Sequence, residues 1–169
     1  MIMLQSKLIK ILLVGGLLVF SNFSIANSTH NIYMMTLSIL SYVKWNNPPA
    51  TLCVLENNYA TQQFSSYLKS QNLAFTVKDI NSNDVKSTNC DAIFFSNTTP
   101  AIEQKLINIA LTQSILSFST SNNECEIGSV FCLNNAKNGN TVFKVNLDSL
   151  ARSKVHVDPR VLLLAKNSE

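Results

Sequence analysis

Short apolar runs separated by polar segments recur along most of the chain. Each run is a few unbroken apolar residues, the pattern of a strand buried on both faces. The last two runs flank Asn138-Gly139, a dipeptide typical of a tight hairpin turn. The pattern predicts six strands, at residues 51–55, 73–77, 92–95, 115–118, 130–133 and 142–145.

Apolar residues spaced three and four apart predict helices between these strands. The expected helices cover residues 31–45, a segment starting at Asn57 or Asn58, a segment opened by Thr99 and Pro100, and residues 158–165. Their predicted inward residues are Ile32, Met35, Ile39, Tyr42 and Val43 in the first, Ala60, Phe64, Tyr67 and Leu68 in the second, Ile102, Leu106 and Ile109 in the third, and Val161, Leu162 and Leu164 in the last.

This alternation predicts the α/β class. Unbroken apolar strands joined through helices form a mainly parallel sheet with helices on both faces. We therefore expect a single-domain three-layer sandwich, completed by a C-terminal antiparallel hairpin.

The first residues have the composition of a signal peptide. Lys7 and Lys10 precede an apolar run at residues 11–20, and Ser24-Ile25-Ala26 has the small residues that signal peptidase requires. An uncleaved membrane anchor is the alternative, but the run is too short for the roughly 20 residues of a spanning helix. We expect residues 1–26 to be removed after Ala26 and residues 27–169 to form one domain of an exported protein.

Charge points away from nucleic acid as a partner. The whole chain has a net charge of +3, and loss of the two signal-peptide lysines lowers it to +1 because residues 1–26 contain no acidic residue. So small a charge predicts neither nucleic-acid binding nor attraction to an anionic membrane surface.

All four cysteines lie in the exported part, where thiols normally pair. Three pairings are possible. Cys125 and Cys132 are seven residues apart around Gly128, so a local bond between them is the simplest choice, and it leaves Cys53 to pair with Cys90. Free thiols and a four-cysteine zinc site remain alternatives, although zinc ligands usually come in closer pairs.

Known catalytic patterns are not found in the sequence. No Gly-x-Ser-x-Gly turn accompanies the two histidines, His30 and His156, and the cysteines lack the Cys-x-x-Cys spacing of a thiol oxidoreductase. Two of the four glycines, Gly15 and Gly16, lie in the signal peptide, which leaves no Gly-rich phosphate loop. We predict a protein that is not an enzyme and has no cofactor or metal.

Four sequence features together resemble one bacterial family. They are Tyr-Val-Lys-Trp at 42–45 followed by a proline turn and Leu-Cys-Val-Leu at 52–55, Cys90 ahead of Ile-Phe-Phe-Ser at 93–96, Cys125 and Cys132 around a glycine, and residues 143–148 leading to Arg-Val-Leu-Leu-Leu-Ala at 160–165. They are similar to the motifs of the YfiR-like family of periplasmic proteins, negative regulators of membrane diguanylate cyclases. Two departures are Asn46, where the family usually has a proline, and the reduction of a glycine-rich loop to Gly128.

The resemblance implies a function in regulation. It implies a periplasmic homodimer that represses an inner-membrane diguanylate cyclase by binding its periplasmic domain, thereby controlling cyclic di-GMP and biofilm formation. It also implies release of the cyclase when an outer-membrane, peptidoglycan-associated lipoprotein sequesters the regulator. A reversible disulfide, for which Cys53–Cys90 is the candidate, would add a redox response.

Candidate binding residues lie near both ends of the domain. Trp45 ends the first predicted helix, and His156 and Arg160 precede or begin the last one. Tyr33 and Met34 are further apolar candidates that could equally belong to the core. A periplasmic module that binds a small ligand or assists a sensor kinase would share these features and is the alternative function.

Overall fold

The computed structural model describes residues 31–110 and 113–166, and the predicted signal peptide lies outside these residues. Six strands form one sheet in the order β2-β1-β3-β4-β5-β6. Strands β1 to β5 run parallel, and β6 is antiparallel to β5. The elements are α1 (Ile32–Ser41), β1 (Thr51–Leu55), α2 (Asn58–Gln71), β2 (Thr76–Ile80), β3 (Ala92–Phe95), α3 (Pro100–Ile109), β4 (Leu116–Ser119), β5 (Phe131–Asn135), β6 (Thr141–Val145), α4 (Leu147–Ser153) and α5 (Pro159–Lys166).

Helices cover both faces of the sheet, which confirms the predicted fold class. Alternate strand residues point to opposite faces, so Leu52 and Val54 belong to the core beneath α1, α2 and α5. Cys53 and Leu55 belong to the second core, beneath α3. The larger core contains aromatic rings packed edge to face, as between α2 and β3, where the ring centroids of Phe64 and Phe94 are 5.0 Å apart.

Two predicted boundaries are wrong for local reasons. The first helix ends at Ser41 and not at residue 45, because Val43 instead forms a β-bridge with Val157. The second strand is Thr76–Ile80 and not residues 73–77. There, Asn72 takes the left-handed conformation (φ 51°) that ends α2, so the next residues serve as the connection to the strand.

One helix was not predicted, and three others bury different residues from those expected. Helix α4 is short, and the first of its two leucines, Leu147, is 64% exposed, so it has no apolar stripe to detect. In α3, Ile102 and Ile109 are exposed, and the buried residues are Glu103 and Leu106. In α1, Leu37 and Leu40 are buried, whereas Tyr42 just after the helix is exposed. In α5, Leu164 is exposed.

Glu103 is a fully buried carboxylate surrounded by hydrogen-bond donors. Its Oε1 accepts from the hydroxyls of Ser119 (2.5 Å) and Thr98 (3.3 Å). Its Oε2 accepts from the Ser129 hydroxyl (2.9 Å), the Ser129 N–H (3.3 Å) and the Asn122 amide (3.3 Å). The five donors offset the large cost of desolvating the side chain. They also join α3 to the end of β4 and to the segment before β5.

Both disulfides form the pairs that loop closure favours. Cys125–Cys132 closes the loop that carries Ser129, which supplies two of the five donors to Glu103, and the sequence separation is 7 residues. Cys53–Cys90 joins β1 to the segment entering β3 across a separation of 37 residues. Within the described residues no cysteine is free.

Alanine should destabilise the protein more at Gly128 than at Gly139. Both have positive φ (86° and 82°), so alanine costs about 1–2 kcal/mol of backbone strain at either position. A Cβ on Gly128 would lie 2.9 Å from Glu103 Oε2 and 3.0 Å from the Pro100 carbonyl oxygen, whereas one on Gly139 would meet nothing within 4 Å. We expect Gly128→Ala to lower the free energy of unfolding by about 2–4 kcal/mol, since overpacking adds to strain.

Urea unfolding followed by the fluorescence of Trp45, the single tryptophan, measures this difference. Gly139→Ala is the matched control, with an expected loss of about 1–2 kcal/mol. Equal losses in the two variants would contradict the role assigned to the contact between Gly128 and Glu103.

Candidate functional site

A surface cleft of about 780 Å³ lies where the amino ends of β1, β3 and β4 meet. We call it the amino-edge cleft. Its walls come from the α1–β1 connection, the residues that enter β3 and β4, and the loop between α4 and α5. The cleft therefore draws on segments that are far apart in sequence, including two of the predicted binding residues, Trp45 and His156.

A short antiparallel bridge holds the two main walls together. Val43 pairs with Val157, and both are buried. On either side, the Lys44 N–H donates to the His156 carbonyl oxygen (3.1 Å) and the Asp158 N–H donates to the Tyr42 carbonyl oxygen (3.0 Å). These backbone bonds explain why Trp45 and His156 reach the same cleft although 110 residues separate them in the sequence.

Trp45 is half-buried and held in place by the protein itself. Its indole N–H donates to the Leu40 carbonyl oxygen (3.1 Å), which also accepts from the Val43 N–H (3.2 Å) at the end of α1. The ring also packs against the larger core while it lines the cleft. A rigid indole with an exposed part is a common anchor in binding sites, because little side-chain entropy remains to be lost.

The base of the cleft is built on paired backbone and side-chain contacts. The Asp91 carboxylate accepts from the Thr51 N–H (2.7 Å), and the Asp91 N–H donates to the Thr51 carbonyl oxygen (2.9 Å). Beside them lies Cys90, which is 6% exposed and bonded to Cys53. One disulfide thus stabilises the wall of the candidate site directly.

Cations outnumber anions around the amino-edge cleft. Lys44 and Lys154 are exposed on its rim next to His156, while Asp91 is its acidic residue. Lys154 is oriented by the left-handed conformation that ends α4 (φ 56°). The cleft therefore favours an acidic group, either on a small molecule or on a partner protein.

Arg160 lies in a neighbouring cleft of about 310 Å³ that shares His156 with the first. Its guanidinium contacts the Asp158 carboxylate in a fork, with Nε 3.0 and 3.1 Å from the two oxygens and Nη2 2.6 Å from Oδ2. It also lies 5.5 Å from the centre of the Tyr42 ring. These contacts hold an exposed cation in one orientation.

The structure thus groups the three predicted binding residues at one end of the molecule. Trp45 and His156 share the amino-edge cleft, and His156 links it to Arg160. Our sequence reasoning missed Lys44 and Lys154, although both are basic residues within two positions of a predicted one. Tyr33 lies elsewhere, with its ring 5.1 Å from Phe64 in the core.

Residues 31–110 and 113–166 contain no cluster of three or more His, Cys, Asp or Glu side chains arranged to hold a metal ion. Among the helices of those residues, none is both long enough and apolar enough to cross a membrane.

The fold and cleft define a disulfide-bonded, three-layer α/β protein with a basic surface cleft at the amino edge of its sheet. A family model described as YfiR/HmsC-like matches residues 33–166. The chain belongs to the YfiR/HmsC-like family, which confirms the resemblance found in the sequence. The match includes both disulfides and all three predicted binding residues.

The fork between Arg160 and Asp158 should remain intact in mild acid. Hydrogen bonds from the Arg160 side chain and N–H, together with the Arg160 and His156 charges, lower the pKa of Asp158 from 3.8 to about 2. A lowered pKa means that the pair is complete above pH 3.8 and is lost only as the pH falls through about 2.

An NMR titration of the Asp158 side-chain carboxyl carbon measures this pKa. We expect a midpoint of about 2 in the wild type and a higher midpoint in Arg160→Gln, still below the ordinary 3.8 because the backbone N–H of residue 160 and the His156 charge remain. A wild-type midpoint near 3.8, or a midpoint that Arg160→Gln leaves unchanged, would contradict the assigned contact.

Proposed function

We propose that this protein is a periplasmic repressor of an inner-membrane diguanylate cyclase and acts by binding the periplasmic domain of that enzyme. The observation that carries the proposal is the family match over residues 33–166. Membership in a family of regulators favours binding over catalysis as the activity of this chain.

The properties of the amino-edge cleft fit a binding role. It presents a half-buried indole, two exposed lysines and a histidine on walls held by backbone hydrogen bonds. An aromatic anchor surrounded by charged groups is typical of protein interfaces, where the ring supplies contact area and the charges select the partner. The expected partner surface is acidic.

Repression then follows from differential affinity. A regulator that binds the inactive state of the cyclase more tightly than the active state shifts the equilibrium towards the inactive state. Each tenfold preference is worth about 1.4 kcal/mol, so a preference of about 100-fold silences most of an enzyme whose active and inactive states are otherwise about equally populated. Any competitor for the regulator, such as an outer-membrane, peptidoglycan-associated lipoprotein, would release the cyclase.

Export is part of the proposal. Residues 1–26 would direct the chain across the inner membrane and be removed after Ala26, leaving residues 27–169 as the working domain. The two disulfides support an oxidising compartment, because such bonds persist there and are rare in the cytosol. The working form would be a homodimer.

The second candidate function is that of an accessory module that binds a small anionic ligand. The excess of lysine and histidine around the amino-edge cleft would suit a small anionic ligand as well as an acidic protein surface. Such a ligand could modulate a cyclase or a sensor kinase. The experiment below distinguishes the cyclase proposal from a function unrelated to cyclic di-GMP.

Deleting the gene should raise cyclic di-GMP in a strain that retains the partner cyclase, measured by mass spectrometry of cell extracts. Wild-type protein should restore the low level. The double variant Lys44→Glu/Lys154→Glu should fail to restore it, because the reversed charges repel an acidic partner. Lys78→Glu, a charge reversal on the exposed edge strand β2 and away from the cleft, is the control and should restore repression.

Each part of the proposal can fail separately. An unchanged cyclic di-GMP level after deletion would overturn the repressor function. A rise that the double variant reverses as well as the wild type does would keep the function and exclude the amino-edge cleft as the contact surface.

The two disulfides should differ in their effect on the protein. The chain-entropy model assigns about 4 kcal/mol to the Cys53–Cys90 loop and about 2.5 kcal/mol to the Cys125–Cys132 loop. Loss of the second bond would also loosen Ser129, which supplies two of the five donors to buried Glu103, and this adds about 1–3 kcal/mol or more. We expect Cys125→Ser/Cys132→Ser to lower the yield of folded protein more sharply than Cys53→Ser/Cys90→Ser.

If this ranking holds, Cys53–Cys90 is the bond that can open without loss of the fold. Its place in the wall of the amino-edge cleft would then connect periplasmic redox state to partner binding. Periplasmic yields of the two double variants, measured by quantitative immunoblot, decide the ranking. A greater loss in Cys53→Ser/Cys90→Ser would reverse the assignment.

A further inference from the structure

A third, smaller cavity of about 260 Å³ lies at the opposite edge of the sheet, and we call it the carboxyl-edge cavity. Ser96 directly follows β3, Thr120 directly follows β4, and Asn135 is the last residue of β5. Because these three strands are parallel, their carboxyl ends present all three side chains at one edge. In open α/β sheets this edge is where ligands generally bind.

Aromatic and aliphatic side chains form the remaining walls. The rings of Tyr33 and Phe94 both line the cavity, with centroids 6.3 Å apart and planes inclined by 40°. Ile32 adds an aliphatic surface, and the first turn of α1, which contributes both Ile32 and Tyr33, lies against the cavity. The walls thus suit a flat apolar body.

The polar side chains at the cavity retain the capacity to donate. Ser96 Oγ accepts from the Asn57 amide (2.7 Å), so its own hydrogen is directed elsewhere. Asn135 uses its carbonyl oxygen to accept from the Thr141 hydroxyl (3.4 Å), which leaves its NH₂ group available. The Thr120 hydroxyl has no hydrogen-bond partner in the described part of the chain.

Because these side chains can donate hydrogen bonds, the cavity favours a ligand that accepts them, and the electrostatics of the cavity add to this preference. None of the described residues that line the cavity carries a formal charge at neutral pH. Burial, with smaller contributions from Tyr59 and Tyr67, raises the pKa of Tyr33, so its phenol adds no charge to the cavity either. The start of α1 contributes a partial positive charge. A ligand with acceptor oxygens on a flat body matches each of these features.

We propose that the carboxyl-edge cavity is a binding site for a small planar molecule that carries hydrogen-bond acceptors, such as an aromatic amide or carboxylate. The site is separate from the amino-edge cleft and does not depend on the proposed repressor function. The volume limits the ligand to about one substituted ring, because pockets for drug-sized molecules range from roughly 300 to 1,000 Å³.

Benzamide and benzoate are suitable probes, and benzylamine is a matched donor-only compound of the same size. Titration of each into ¹⁵N-labelled full-length mature protein, followed by amide NMR shifts, should show benzamide or benzoate binding with a Kd of about 1 mM. The shifts should centre on Ser96, Thr120 and Asn135, and benzylamine should cause none there. The stronger of the two binders identifies the acceptor as a neutral carbonyl or a carboxylate.

Thr120→Val tests the contact itself, since it removes the hydroxyl and retains the shape. We expect it to raise the Kd roughly 5-fold, the effect of losing one hydrogen bond. Tyr33→Phe should act in the same direction. Thr76→Val, on the far edge strand β2, makes the same change away from the cavity and should leave the Kd unaltered.

Three results would overturn the proposal. They are absence of binding by both acceptor probes, equal binding of benzylamine at the same amides, and a Kd that neither Thr120→Val nor Tyr33→Phe alters. Shifts centred on Lys154 and His156 instead would assign the probe to the amino-edge cleft and likewise overturn it.

Discussion

The need to satisfy one buried carboxylate, that of Glu103, constrains much of this structure. A desolvated carboxylate is costly unless donors surround it, and here they come from the α3 N-terminal region, the end of β4 and the loop before β5. Gly128 follows from the same requirement, because a side chain at that position would occupy the space next to the carboxylate. The Cys125–Cys132 bond then encloses the loop that delivers two of these donors, both from Ser129.

This arrangement leaves the two edges of the sheet free for binding. The carboxylate network stabilises the side of the sheet beneath α3, and α1 crosses the other side from one edge to the other. Its first turn borders the carboxyl-edge cavity, and the residues after its last turn form the amino-edge cleft. A helix of 10 residues, about 15 Å long, thus contributes to both candidate sites.

Much of the fold could be predicted from the sequence, because its strands are unbroken apolar runs. Thr51–Leu55 and Ala92–Phe95 match the predicted bounds, and the hairpin at Gly139 follows from its turn dipeptide. Helix faces were harder to predict, because a buried charge reverses the usual rule. In α3 the apolar Ile102 is exposed while Glu103 is buried, and periodicity alone favours the opposite.

The candidate site was only partly predictable, for a different reason. Trp45, His156 and Arg160 stand out by residue type near conspicuous motifs. Their proximity, in contrast, depends on the single bridge between Val43 and Val157, a tertiary contact with no periodic signal. The placement of Lys44 and Lys154 at one cleft likewise depends on that bridge, because they lie on segments that are far apart in the sequence.

That same bridge has a consequence for the order of events during synthesis. A chain emerges amino end first, so the wall containing Trp45 is made long before the wall containing His156. The cleft can close only after nearly all of the domain has been produced. An incomplete copy would therefore lack a finished cleft, and only whole molecules could use it to bind the proposed partner.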